Sequence, residues 1–401
     1  MKKVLNVLLI LALVCAVLLP GVSTILAQDN IQVGIVLPTK DEPRWIQDET
    51  QFSKLLSEAG FTYKVLFSQG DPQVERTNVE TLINDQIEVL IICAHDAAAA
   101  ASTVEAAKDA GVTVICYDRL ITDTEAVDYY VTFDSVAVGE AQGQFLVDQA
   151  EGEGNPLYLY AGAATDNNAF MFFQGAWNKL QPKVEDGTFV IVNSSEALEL
   201  QETLELSREE QAAIIGQVTT NWDFNVAKTK AEADLQAVGE EDKGKVYILA
   251  PNDGTARSIA DTFAADADIS EYFITGQDSE KASVQYIIDG LQSMTIFKDT
   301  RTLAADSIAM AVQILNGETP ETDTTYDNQM IEVPSKQSPI VTVTAENVVE
   351  ALIDSEYYVA DDFENLPEVE EVEEDVEDDV VEEDVEEVEE DVVEEDVEEE
   401  E

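Results

Sequence analysis

Short apolar runs alternate with amphipathic segments along most of the chain. Residues 31–38, 63–67, 89–93, 112–120 and 129–133 are apolar and too brief for helices, which predicts buried strands. Between them, residues 41–59, 72–85, 97–110 and 136–150 carry apolar side chains at helical spacing, and Gly111 ends the third of these segments. Strands alternating with helices at this interval make βαβ units on a parallel sheet. A Gly-rich break at 151–155 then opens a second series of the same kind, with strands at 157–160, 189–192, 246–249, 273–275 and 294–297. The expected fold is α/β, two doubly wound, Rossmann-like lobes with a cleft between them. Residues 196–217 add a helical excursion to which no chemistry can be assigned.

Polar residues cluster where the apolar runs stop: Asp118-Arg119, Asp134, Asp166-Asn167-Asn168, Asn252-Asp253, Gln277-Asp278 and Lys298-Asp299. Open α/β sheets bind ligands outside the carboxyl ends of their strands, so these clusters should converge on the cleft. Any single one has a plainer explanation, because Asp and Asn also cap the helices that follow strands. The run ending in Asp118-Arg119 is the sharpest signal, since the whole chain holds only six arginines.

The candidate lining is chemically mixed. Arg44, Arg119 and Lys298 only donate, Asp118 and Asp278 only accept, and Asn168 and Asn252 do both. A hydroxyl also donates and accepts, so this nearly balanced set suits a neutral polyol better than a phosphate or an amino acid. Trp45 and Trp222 could lay aromatic faces against sugar C–H groups, with a core role equally open to each.

Composition narrows the picture at both ends. The formal charge is −63, and the last 35 residues hold 24 acids, ten valines and no base, leaving the body at −39. Such a surface repels nucleic acid, and the acidic segment 367–401 is expected to be a disordered tail. At the other end a basic start, a short apolar run and small residues up to Ala27 predict a secretory signal peptide over 1–27, cleaved near Ala27, and a periplasmic or extracellular location. Leu13-Val14 before Cys15 speak against a lipid anchor. Cys93 and Cys116 should be buried thiols, open to oxidation if their strands are neighbours. A single histidine, His95, removes His-based metal sites and triads, and no metal or cofactor is expected.

The ordered motifs resemble a known family. Val36-Leu37-Pro38-Thr39-Lys40 with Arg44-Trp45, Tyr117-Asp118-Arg119-Leu120, Thr132-Phe133-Asp134, Asp166-Asn167-Asn168-Ala169, Asn252-Asp253, Gly276-Gln277-Asp278 and Thr295-Ile296-Phe297-Lys298-Asp299 resemble the periplasmic sugar-binding proteins of ABC importers, nearest the xylose-binding and multiple-monosaccharide-binding branch. The resemblance runs from about residue 31 to 366. It implies a type I fold that closes about a hinge on a monosaccharide such as xylose, glucose or galactose. Arg44, Asp118, Arg119, Asn168, Asn252, Asp278 and Lys298 would hydrogen-bond the sugar, and Trp45 or Trp222 would stack on it. It further implies three crossings between lobes, giving an N-terminal lobe of 31–137 plus 299–331 and a C-terminal lobe of 138–298 plus 332–360. The partner would be a membrane permease, with a chemoreceptor or sensor kinase as the alternative. Ser135 departs from the Asn often found there.

Catalysis is the rival reading, since Asp118 and Asp278 could be paired glycosidase carboxylates. Arg and Lys on both sides of them would hold a general acid ionised, which argues for a binding protein with no catalytic residue. A sugar-responsive repressor would share the core, but the export signal and the absence of a basic helix-turn-helix oppose it.

Overall fold

A computed structural model describes residues 30–367. The expected signal peptide and the acidic segment from residue 368 onward lie outside the described residues.

The first half forms strands β1 (Val33–Leu37), β2 (Tyr63–Phe67), β3 (Val89–Ile92), β4 (Thr113–Tyr117) and β5 (Tyr129–Phe133), with helices α1 (Pro43–Ala59), α2 (Pro72–Asn84), α3 (Ala101–Asp109) and α4 (Ser135–Gln149). The third helix starts later than the apolar spacing predicts, because residues 97–100 form turns before it. Next come β6 (Asn155–Leu159), α5 (Asn167–Glu185), β7 (Phe189–Ile191), α6 (Ser195–Glu199), α7 (Arg208–Val218), α8 (Phe224–Ala237), β8 (Gly244–Leu249), α9 (Asp253–Ala264), β9 (Ile269–Ile274), α10 (Lys281–Ile288) and β10 (Thr295–Phe297). Helix α11 (Thr300–Leu315), β11 (Thr324–Asp327), β12 (Glu332–Ser338) and β13 (Val341–Val343) complete the set.

Two parallel sheets organise these elements. The larger has the order β11-β12-β5-β4-β3-β1-β2, antiparallel only between β11 and β12; the smaller has the order β7-β6-β8-β9. In the larger sheet Trp45, Phe52 and Leu56 of α1 and Leu303 and Ile308 of α11 cover one face, and Val79, Leu82, Val104 and Ala107 of α2 and α3 cover the other. Helices α5 and α7 pack on one face of the smaller sheet and α8 and α9 on the other. Near-continuous apolar strands are what burial on both faces requires.

One sequence expectation changes here. The chain leaves the larger sheet after Ser338, not at residue 331: β12 pairs parallel with β5 from Ser335 against Tyr130 to Ser338 against Phe133. Val333, Ser335 and Ser338 alternate with more polar neighbours, a pattern too weak to mark a sheet strand. Cys93 and Cys116 are buried free thiols, as the sequence predicts. Their strands are neighbours, but Ile92 aligns with Cys116, so Cys93 is offset by one residue and points to the opposite face.

Helix α5, which brings Asn168 and Phe172 to the cleft, is set by close backbone approach to α4. A Cβ on Gly139 would lie 1.9 Å from the Phe172 carbonyl oxygen, and one on Gly175 would lie 2.1 Å from that of Val136. Gly139→Ala should therefore push α5 outward and destabilise the fold by about 1–3 kcal/mol. Urea unfolding reads this directly, and a midpoint equal to that of the parent would show that the helices part without cost.

Candidate functional site

The strand end that stood out in the sequence is a tight, strained turn. Asp118 adopts φ 63, and Arg119 N–H donates to the Tyr117 carbonyl at 2.7 Å, a γ-turn in a region that L-residues rarely occupy. The turn is tied down through the Asp118 carbonyl, which accepts from Tyr130 OH at 2.7 Å, Thr132 Oγ1 at 3.3 Å and Asn168 Nδ2 at 2.8 Å. Strain held by several partners at one place is characteristic of ligand sites.

Around it the cleft gathers alternating charge. Arg44 Nη2 lies 2.6 Å from Asp118 Oδ2, its Nε 3.4 Å from Asp48 Oδ2, and its Nη1 3.6 Å from Asp278 Oδ1. Lys298 Nζ meets Asp278 Oδ1 at 2.7 Å. Arg44 sits in the first turn of α1, next to Pro43, where the helix dipole disfavours a cation; three carboxylates reverse that balance. Burial pushes the Asp118 carboxyl up, but Arg44, then Lys298 and Arg119, hold it below its ordinary value. Asp48 follows burial instead, rising to about 7 against the pull of Arg44, and accepts from Tyr117 OH at 3.0 Å.

Aromatic rings line the cations. The Arg44 guanidinium lies 4.8 Å from the Trp45 ring and 5.7 Å from Phe133, and Lys298 Nζ lies 5.8 Å from Phe133 and 5.6 Å from Phe172. Trp222 has φ 59 and packs so tightly on residue 162 that only glycine fits, since a Cβ there would be 2.0 Å from the indole.

Several buried polar atoms here lack a hydrogen-bond partner: Arg44 Nε and Nη2, Trp45 Nε1, Trp222 Nε1, Gln277 Oε1 and Asp278 Oδ1. Arg44 and Asp278 touch opposite charges, yet those contacts lie off the hydrogen-bond directions. Buried groups are normally paired, so a cluster of unpaired ones contributed by both lobes calls for a partner.

The structure thus brings Arg44, Trp45, Asp118, Asn168, Asp278 and Lys298 together, and it redirects others. Arg119 Nε pairs with Asp166 Oδ2 at 2.9 Å, its Nη2 lies 3.7 Å from Glu42, and its guanidinium is 5.1 Å from the Trp45 ring. Trp45 is therefore 2% exposed between two guanidiniums and belongs to the core of the first lobe. The Asn168 amide donor is committed to the Asp118 carbonyl. Asn252 caps α9, its Oδ1 accepting from Thr255 Oγ1 at 2.6 Å. Asp134 and Asp299 cap α4 and α11, as ordinary capping would have it. Asp48, Phe133 and Phe172 were not chosen as site residues from the sequence, and Asp166 was marked only as a member of its strand-end cluster. Asp48 stands one helical turn after Arg44 and Phe172 one turn after Asn168, spacings that could have singled them out.

A buried acid stands behind the cleft wall as well. Glu75 accepts from the His95 backbone N–H at 2.9 Å and from Ser68 Oγ at 3.3 Å, and burial pushes its carboxyl up to about 7 from an ordinary 4.5. Between those values the folded chain holds a proton that the unfolded chain has released, so stability falls as pH rises through that window. Glu75→Gln should flatten this slope, worth up to about 3 kcal/mol, in unfolding measured from pH 4.5 to 7.5. A slope unchanged by the substitution would remove Glu75 as its source.

Two α/β lobes around a cleft of balanced charge define a solute-binding protein. The chain belongs to the periplasmic binding protein domain family, which matches residues 33–319. It is 34% identical over 356 residues to the multiple sugar-binding periplasmic protein SbpA of Azospirillum brasilense, covering 86% of this chain and 95% of that protein. It is 35% identical over 345 residues to the multiple sugar-binding periplasmic receptor ChvE of Rhizobium radiobacter, covering 84% and 93%. Among solved structures, a carbohydrate transporter solute-binding protein from Chloroflexus aurantiacus in complex with D-glucose superposes with a TM-score of 0.83 at 67% identity, covering 84% of this chain and 98% of that one.

Proposed function

We propose that this protein is the extracytoplasmic substrate-binding component of an ABC-type importer and takes up a monosaccharide in the cleft between its lobes. The observation that carries this reading is the set of buried donors and acceptors that meet from both lobes, Arg44 with Asp118 from one and Asp278 with Lys298 from the other, within a nearly neutral lining. Ring hydroxyls can satisfy both kinds, whereas a phosphate would face Asp118, Asp278 and Asp48. Arg44, Asp118, Asp278 and Lys298 form the polar half of the proposed site. Trp222, Phe133 and Phe172 form its apolar half, and Asn168, Arg119 and Asn252 hold its walls. Trp45 serves as the platform under the two guanidiniums.

Glucose is the first candidate, resting on the D-glucose held by the Chloroflexus relative; xylose and galactose follow. Family membership supports export to the periplasm, delivery to a membrane permease and a binding role without catalysis. Delivery to a chemoreceptor or sensor kinase is the second reading, favoured by the receptor designation of ChvE. Calorimetric titration with glucose, galactose, xylose, ribose and glucose 6-phosphate tests the proposal. Saturable binding of at least one neutral monosaccharide supports it, and heats of dilution alone for all of them would reject it.

A further inference from the structure

The cleft does not end at the charged cluster. A cavity of about 680 Å³ shares Arg119, Trp222 and Asn252 with the proposed site and continues past them to Gln69, Phe224 and Asn225. Concave sites of about 300–1,000 Å³ hold drug-sized ligands, so this space exceeds the needs of one pyranose ring. We infer that the cleft has a second, outer subsite and accepts neutral O-substituted sugars, disaccharides in particular, with the added ring lying against Phe224 and Asn225. The inference rests on the monosaccharide reading above and extends its substrate class.

The lining has the chemistry of a second sugar subsite. Phe224 is 47% exposed at the start of α8 and lines the cavity with an aromatic face. Asn252 is 5% exposed; its Oδ1 is consumed by the α9 cap, and its amide NH₂ donates to no protein group among the described residues. Trp222 Nε1 is buried and unpartnered on the same wall. Two successive residues, Asn221 at φ 53 and Trp222 at φ 59, hold the left-handed backbone that places this wall. The charged groups decide against anionic substituents: both guanidiniums of the cavity are already paired, Arg119 with Asp166 and Arg257 Nη2 with Glu280 at 2.6 Å. Asp41, Glu42 and Asp223 would repel a phosphate or a uronate.

Calorimetry with glucose, maltose, cellobiose, gentiobiose and glucose 6-phosphate tests the inference on the parent and on the double variant Phe224→Ala/Asn225→Ala. Both positions are exposed, and a melting curve confirms that the variant is folded. At least one disaccharide should bind within tenfold of glucose. The double variant should weaken that disaccharide at least fivefold while leaving glucose within twofold. Glucose binding with every disaccharide more than tenfold weaker would overturn the outer subsite alone, as would a disaccharide indifferent to the double substitution. Failure of glucose and of every disaccharide would overturn the monosaccharide reading and the subsite with it.

Discussion

Arg44→Ala should abolish measurable monosaccharide binding and lower the melting temperature of the ligand-free protein in the same variant. Arg44 is the cation common to Asp48, Asp118 and Asp278, at 3.4, 2.6 and 3.6 Å. Taking one partner from a buried ionic network strands the others, at a cost of about 3–5 kcal/mol. Binding loses a charge-assisted donor worth about 1.5–3 kcal/mol, a tenfold to more than hundredfold fall before any displacement of Asp118 is counted. Acid should partly restore the variant. Without Arg44 the carboxyl of Asp118 loses its main stabilising charge and its folded pKa rises, so the variant gains stability as pH falls, and its deficit against the parent shrinks from pH 8 to pH 5. A deficit constant with pH would mean that Arg44 acts by packing alone.

Asp253→Ala should lower affinity at least tenfold although Asp253 does not line the charged cluster. Its Oδ2 accepts from the Glu280 backbone N–H at 2.8 Å and its Oδ1 from Gln292 Nε2 at 2.8 Å. Just before Glu280 lie Asp278 at φ 95 and Ser279 at φ 48, two residues in strained backbone, and Gly276, where a Cβ would stand 2.3 Å from Asp253 Oδ1. Alanine takes the acceptor from the part-buried Glu280 N–H and one of the two acceptors from Gln292 Nε2, which keeps the Met294 carbonyl, at about 1–3 kcal/mol for an unmatched donor, and frees the loop to relax, carrying Asp278 away from Arg44 and Lys298. Burial, then Glu280 and Asp278, push the Asp253 carboxyl well up, so Asp253→Asn, which keeps one acceptor, should lose far less affinity than alanine. Equal losses in the two variants, or none in either, would show that the loop holds its shape without this carboxylate. Calorimetry alongside melting separates the positioning effect from a general loss of fold.

The parallel strands were legible because burial on both sheet faces writes itself as unbroken apolar runs; β5 begins and ends where its run does. The strand β12 was not, since an edge-side strand with Lys336 and Gln337 carries no such run and owes its place to pairing with β5. Asp118, Asp278 and Lys298 could be read from strand ends, and the structure brings them together. Which strand-end acids serve the cleft and which cap helices could not be read, because Asp118 and Asp134 look alike until the backbone shows one in a γ-turn and the other accepting from Ala137 N. Pairing across the lobes, such as Arg119 with Asp166, joins residues that only the folded chain makes neighbours.

The central claim is that one sugar is held by both lobes at once, between Arg44 and Asp118 on one side and Asp278 and Lys298 on the other. The crystal structure of the protein grown with D-glucose tests it most directly. The account predicts one pyranose with hydroxyls within about 2.7–3.2 Å of Arg44 Nη2 or Asp118 and, from the same ring, of Asp278 or Lys298. A glucose held by one lobe alone, or bound away from these four side chains, would contradict it.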